Sequence, residues 1–206
     1  MKRSVYIRTL GCPKNETDSE HLRGMLAESG YESVDEPSNA DVVVVNTCSF
    51  IDAARRESID AILDHVSARR NGQKVLVAGC LVERYGEELA KELPEVDGFM
   101  SLGSYARAPD IVDAAVRGVR QLCFDSGKVP LSLEARTQPS GPTTFVKISE
   151  GCDRVCTFCA IPAIRGGHRS RPLESIETEV RWLVERGVKE VVLVAQDMSL
   201  YGRDLY

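Results

Sequence analysis

Asp41-Val42-Val43-Val44-Val45-Asn46 decides the fold class. Four apolar β-branched residues in succession, with no polar alternation, fit a strand covered on both faces, the habit of parallel sheets in α/β proteins. Residues 74–78 form a second such run, and residues 4–10 a strand with Val5, Ile7 and Thr9 on one face. Between these strands the spacing turns helical. Thr17-Asp18-Ser19-Glu20 has the form of a capping box ahead of Leu22, Met25 and Leu26, with Gly30 as the stop. Ile59, Ile62, Leu63 and Val66 mark one face of a helix over residues 51–70, and further helices are expected over 83–93 and 109–116. Residues 98–102 and 119–124 read as extended. The alternation of strand and helix predicts an α/β fold, an open parallel sheet over residues 1–125.

Residues 126–142 hold Pro130, Pro139, Pro142, Gly127 and Gly141 with little periodicity, and are expected to form a linker or surface arm. A strand over 143–149 opens a second unit, 143–206, followed by a cysteine-rich loop, a helix over 173–187 and a strand over 189–195. Taken alone, this strand–loop–helix–strand module would expose an open sheet edge prone to aggregation.

The 206 residues carry 26 Lys+Arg against 31 Asp+Glu, a formal charge of −5, which argues against a general nucleic-acid coat. Hydrophobic residues make up 43%, which suits a globular chain rather than a disordered one. The longest apolar stretches are strand-sized, and Met1-Lys2-Arg3-Ser4-Val5 does not lead into a signal-peptide core, so a cytoplasmic, reducing location is expected. Seven cysteines in that setting point to metal ligation or chemistry before disulfides.

Cys152, Cys156 and Cys159 form Cys-x-x-x-Cys-x-x-Cys directly after an expected strand. Three thiolates within eight residues can grip one metal centre. Zinc prefers four protein ligands, and His168 is too distant for the usual pairing. A 4Fe-4S cluster normally takes four cysteines, so three would leave one iron open to a ligand. Spacing leaves an open iron–sulfur cluster, zinc and buried structural thiols all in play. Cys12, Cys48 and Cys80 share no local motif, but each falls just past the end of an expected strand. In a parallel sheet those ends lie along the edge where ligands bind. Gly11 and Gly79 beside them would permit close backbone approach. Either the three meet and hold a second cluster, or they are separately buried small hydrophobes. Cys123, within an extended apolar run, is expected in the core.

In these residues the chain resembles the methylthiotransferases, a branch of the radical S-adenosylmethionine (SAM) enzymes. The resemblance rests on Glu150-Gly151-Cys152-Asp153-Arg154-Val155-Cys156-Thr157-Phe158-Cys159-Ala160-Ile161-Pro162 and on Arg165-Gly166-Gly167-His168-Arg169-Ser170-Arg171-Pro172. It extends upstream to Leu10-Gly11-Cys12-Pro13-Lys14-Asn15, Asp18-Ser19-Glu20, Asn46-Thr47-Cys48 and Gly79-Cys80-Leu81. Pro13-Lys14-Asn15, Phe50-Ile51, Ala195-Gln196-Asp197 and Tyr201-Gly202 are similar to the branch that modifies small-subunit ribosomal protein twelve rather than the tRNA-modifying branch. Glu16-Thr17 and Met198-Ser199-Leu200 depart from that branch's usual residues.

The resemblance implies that residues 143–206 begin a radical SAM (β/α) partial barrel, truncated because a complete (β/α) barrel takes roughly 200 residues or more, and it implies methylthiolation of an aspartate β-carbon in that ribosomal protein. It implies a 4Fe-4S cluster on Cys152, Cys156 and Cys159 that binds SAM and cleaves it reductively to begin hydrogen abstraction. It also implies an auxiliary 4Fe-4S cluster on Cys12, Cys48 and Cys80 that delivers sulfur, a second SAM as methyl donor, and a reductant such as flavodoxin or ferredoxin. Phe158 is expected near the adenine of SAM or in simple packing. The run Arg165, His168, Arg169, Arg171 reads as a solvated loop, or alternatively as contacts to SAM or substrate. His21 and His65 read as surface or boundary residues, and no general base is assigned. No membrane and no obligatory nucleic-acid contact are expected, and the stretch alone is expected not to turn over. The competing readings are a tRNA adenosine methylthiotransferase with the same clusters and a non-catalytic zinc-binding module.

Overall fold

The computed structural model describes residues 3–125, 129–131, 136–137 and 141–206. Most of the expected linker, 126–142, lies outside the described residues.

The apolar runs form the parallel sheet. Its strands are β1 (Ser4–Thr9), β2 (Glu32–Ser33), β3 (Val42–Thr47), β4 (Lys74–Gly79), β5 (Gly98–Met100) and β6 (Gln121–Cys123), in the order β2-β1-β3-β4-β5-β6, all parallel. The valine run is buried throughout and splits by parity. Val42 and Val44 join Val5, Ile7, Leu22, Leu26, Ile111 and Val112 in one core, while Val43 and Val45 join Ile62, Val75, Val77, Leu81 and Phe99 in the other. Both faces of β3 are thus covered, and its sequence has no polar alternation for that reason.

The helices are α1 (Pro13–Glu28), α2 (Asp52–Ser67), α3 (Cys80–Glu92) and α4 (Ala108–Val116). Two boundaries correct the sequence reading. α1 starts at Pro13, a full turn before the expected cap, with Cys12 as its N-cap. Thr17, Asp18 and Ser19 lie inside it and are buried, and the Thr17 hydroxyl donates back to the Pro13 carbonyl at 3.2 Å. Proline at the first helical position was the better start signal. α3 starts at Cys80 rather than at 83 and is kinked at Tyr85.

The second unit pairs β7 (Thr143–Lys147) in parallel with β10 (Glu190–Val194), with α6 (Leu173–Glu185) packed on them through Val146, Ile148, Ile176 and Leu183. Three elements escaped the sequence reading here: a short helix α5 (Ile161–Arg165) and the antiparallel pair β8 (Ser149–Glu150) and β9 (Arg169–Ser170). Each is too short to show periodicity.

α1 lies between the large sheet and β7. Leu22 and Leu26 enter the core, whereas Lys14, Asn15, Asp18, Ser19 and His21 are buried as polar groups. His21 therefore corrects the surface assignment; its Nε2 lies 4.0 Å from a Glu179 oxygen. Arg136, from the stretch read as a surface arm, is buried. It is ion-paired to Glu20 of α1 and Glu179 of α6, and donates to the Thr144 hydroxyl and the Phe145 carbonyl at 2.8 Å each.

A polar pin joins β3 to its neighbours. Asn46 Nδ2 donates to the Asn15 carbonyl at 3.1 Å and the Ser19 hydroxyl at 2.9 Å, while Asn46 Oδ1 accepts from the Tyr105 hydroxyl at 2.9 Å. Tyr105→Phe leaves that oxygen short of a donor in a buried site. The expected loss is about 1–2 kcal/mol in urea unfolding, and an unchanged urea midpoint would show the hydroxyl to be dispensable.

Candidate metal centre

Five of the six candidate cysteines come together on one cavity. Cys12 follows β1 and caps α1, Cys48 follows β3, and Cys80 follows β4 as the first residue of α3. All three sit at the carboxyl edge of the parallel sheet. Cys12, Cys48, Cys80, Cys152 and Cys159 line one cavity of about 640 Å³, together with Lys14, Phe50, Ile51, Arg165, Gln196 and Met198. Cys156 is exposed on the same loop as Cys152 and Cys159. Cys123 is half-buried against the core, away from this cavity.

The backbone carrying the triad of Cys12, Cys48 and Cys80 is pinned. The Cys48 N–H donates to the Ser58 hydroxyl at 3.0 Å, and that hydroxyl donates to the Cys48 carbonyl at 2.9 Å. The Ser49 hydroxyl donates to the Cys80 carbonyl at 3.0 Å. Asn15 Nδ2 ties the ends of β1 and β3 by donating to the Leu10 and Thr47 carbonyls at 2.8 and 3.0 Å. Gly11 and Gly79 have φ of 93° and 98°. A Cβ at Gly11 would come within 2.8 Å of the Cys48 sulfur, and one at Gly79 within 2.6 Å of the Thr47 carbonyl oxygen. The expected close approach is therefore present at both glycines.

Behind the cysteines lies a buried ionic knot that joins the two sheets. The Lys14 ammonium donates to Glu150 Oε1 at 2.9 Å, to the Ser149 carbonyl at 2.8 Å, and to the Gln196 side chain. Lys147 binds Asp18 at 2.7 Å and Glu150 at 2.9 Å. Arg165 grips both Glu150 oxygens at 3.1 and 3.2 Å, Asn15 Oδ1 at 2.7 Å and Asp18 at 3.1 Å. Burial pushes the Asp18 and Glu150 carboxyls up, but Lys147 and Arg165 outweigh it and hold both below the ordinary carboxylate range. Burial also lowers the Lys14 ammonium to about 8, against the pull of Glu150, and raises the Cys80 thiol to about 11.

Arg165 and Arg171 correct the solvated-loop reading, since both are buried. Arg171 donates to the Lys147 carbonyl at 2.7 Å and to Glu179 at 2.5 Å, and so holds strand to helix. His168 is also buried at its side chain, with Nε2 at 3.1 Å from the Ser170 hydroxyl. Arg169 is half-buried. Phe158 does not pack against the described residues; its side chain is 88% exposed. In the sequence, the knot residues Lys14, Asn15, Asp18, Glu150 and Gln196 stand out only as letters of the family motifs. Lys14 and Asn15 carried a usable signal: polar residues directly after a proline helix start, beside an edge cysteine.

The donor set suits a thiolate-bound cluster. Among the described residues no three His, Cys, Asp or Glu side chains close on a single-ion site. Five thiols on one cavity are the donor type that an iron–sulfur cluster takes. Also among the described residues, no helix is long and apolar enough to cross a membrane.

Two family models match the chain: the Uncharacterized protein family UPF0004 over residues 4–101 and the Radical SAM superfamily over residues 146–206. The fold and the cysteine loop thus define a protein of the radical SAM class, with SAM and iron–sulfur chemistry implied by that class. Among curated relatives, the ribosomal protein uS12 methylthiotransferase RimO of Anaeromyxobacter sp. (strain K) is 47% identical over 209 residues, covering 100% of this chain and 44% of the relative. The protein of the same name from Thermotoga maritima is 47% identical over 204 residues, covering 98% of this chain and 46% of the relative. The one from Moorella thermoacetica is 44% identical over 207 residues, covering 98% and 47%. The chain belongs to the methylthiotransferase family of radical SAM enzymes. It spans less than half the length of the curated relatives it matches.

Proposed function

We propose that the chain forms the cluster-binding part of a transferase that adds a methylthio group to an aspartate β-carbon of ribosomal protein uS12. The observation that carries this reading is the meeting of five cysteines from two distant segments in one cavity. Cys152, Cys156 and Cys159 would hold the 4Fe-4S cluster that binds SAM, and Cys12, Cys48 and Cys80 an auxiliary 4Fe-4S cluster. When bound, these groups and SAM supply the hydrogen-abstracting radical, the sulfur and the methyl group, with electrons from a flavodoxin- or ferredoxin-type reductant. The chain's own residues place and shield them. Phe50, Ile51 and Met198 line the cavity with apolar side chains, and exposed Phe158 is the residue offered to the SAM adenine. Residues 1–125 act as the N-terminal unit, 126–142 as linker and 143–206 as the start of the radical SAM unit. The names of the relatives favour the ribosomal protein over tRNA as substrate.

The test is metal content after reconstitution without oxygen. About eight iron and eight sulfide per chain are expected, falling to about four of each when either triad is replaced by alanine. Stoichiometric zinc with little iron would overturn the reading. Pull-down of uS12 without competition from tRNA is the expected binding result, and the reverse would favour the tRNA-modifying alternative.

A further inference from the structure

The buried knot does not balance its own charge. Lys14, Lys147 and Arg165 carry three positive charges, Asp18 and Glu150 carry two negative ones, and every one of these side chains is 6% exposed or less. An uncompensated buried charge is costly, and proteins place a counter-charge beside it. Glu83, a further carboxylate that acts on Arg165, is only half-buried, forms no ion pair with the knot among the described residues, and accepts from the Leu102 N–H at 3.0 Å; it lies outside the fully buried cluster. The remaining groups that face Arg165 are Cys80 and Cys12. The contact runs through Asn15: its Oδ1 accepts from Arg165 Nη2 at 2.7 Å and lies 3.9 Å from the Cys80 sulfur. Arg165 also lines the cysteine cavity itself. The knot therefore presents its surplus positive charge to the triad of Cys12, Cys48 and Cys80, on the opposite side from β7.

We propose that Arg165 is an electrostatic positioning residue whose surplus positive charge stabilises the anionic centre held by Cys12, Cys48 and Cys80 and raises its reduction potential. This rests on the assignment of that triad as cluster ligands. Reduction adds negative charge to the centre, and a fixed buried cation favours the more negative state. The same contact makes the docking of the two units sensitive to what the triad carries, because Arg165 belongs to α5 and the triad to the large sheet.

The measurement is the midpoint potential of the reconstituted chain carrying Cys152→Ala, Cys156→Ala and Cys159→Ala, so that the triad of interest holds the only cluster. Arg165→Gln removes a positive charge and is expected to shift the potential negative. Glu150→Gln removes a negative charge from the same knot and is expected to shift it positive. Arg165→Lys keeps the charge and is expected to stay nearer the parent value than Arg165→Gln does. Mere loosening of the structure moves both neutralising variants in one direction, so opposite signs identify the charge effect. Should Arg165→Gln fail to fold, Lys14→Gln takes its place as the variant that loses a positive charge from the knot; a negative shift from it beside a positive shift from Glu150→Gln supports the proposal, and any other pattern overturns it. About four iron per chain with potentials that do not move, or that move together, would overturn this inference alone. Failure of the alanine background to bind iron would overturn the ligand assignment and the inference with it.

Discussion

Lys147→Met is expected to destabilise the chain by about 3–5 kcal/mol, the usual cost of removing one partner from a buried ion pair. The Lys147 side chain is 3% exposed, and its partners Asp18 and Glu150 are 2% and 0% exposed. Methionine fills similar space, so the loss measures charge rather than a cavity. Lys14 and Arg165 then balance the two carboxylates in formal charge, but Asp18 loses its 2.7 Å partner and keeps only Arg165 at 3.1 Å. The readout is the urea midpoint at neutral pH, and a loss below about 1 kcal/mol would mean that water or a shifted Lys14 replaces the ammonium. The acid response checks the same point. Asp18 and Glu150 have folded pKa values held below their ordinary 3.8 and 4.5. A depressed carboxyl stabilises the fold above its ordinary pKa, and that contribution disappears as pH falls through the folded value. The parent chain is therefore expected to lose stability below about pH 4, and the variant, which has already lost much of that stabilisation, to show a shallower acid slope.

Gly79→Ala is expected to remove the cluster proposed for the Cys12, Cys48 and Cys80 triad and to cost about 2–4 kcal/mol of stability. With φ at 98°, alanine is strained before any contact is considered. Its Cβ would then sit 2.5 Å from Asn46 Oδ1, 2.6 Å from the Thr47 carbonyl oxygen and 2.8 Å from the Thr47 nitrogen. Two of these are backbone atoms of β3, so relief has to come from moving Gly79, and with it Cys80, the first residue of α3. Iron per chain should fall by about half, because the loop of Cys152, Cys156 and Cys159 belongs to the other sheet. Full iron content in a stable Gly79→Ala chain would show that the α3 start can shift without losing its thiolate.

The sheet was legible because burial on both faces leaves a plain mark. Val42 to Val45 have no polar alternation, and each packs into one of two cores. The edge positions of Cys12, Cys48 and Cys80 followed from those strand ends. The start of α1 was not legible by amphipathic reasoning. Its far side is covered by the second unit rather than by water, so buried Asp18 and Ser19 looked like capping residues. Arg165 and Arg171 looked like a solvated basic run because their sequence neighbours are polar. Their partners lie elsewhere: Asn15 is 150 residues from Arg165, Asp18 is 147 away, and Lys147 is 24 from Arg171. Pairings at that separation leave no local pattern. The cysteine loop was read correctly as a loop, whereas its short helix α5, which aims Arg165, fell below the length at which periodicity can be seen.

The polar underside of α1 also has a consequence for synthesis. The large sheet leaves the ribosome before β7 emerges, and N-terminal units generally fold as they emerge. A nascent unit whose docking face was made of leucine and valine would wait with a sticky patch in water. Here the waiting face holds Lys14, Asn15, Asp18, Ser19 and His21, all of which water can solvate. Only when Lys147, Glu150 and Arg165 arrive does that face exchange water for ion pairs. Specific docking is thus obtained without an aggregation-prone intermediate.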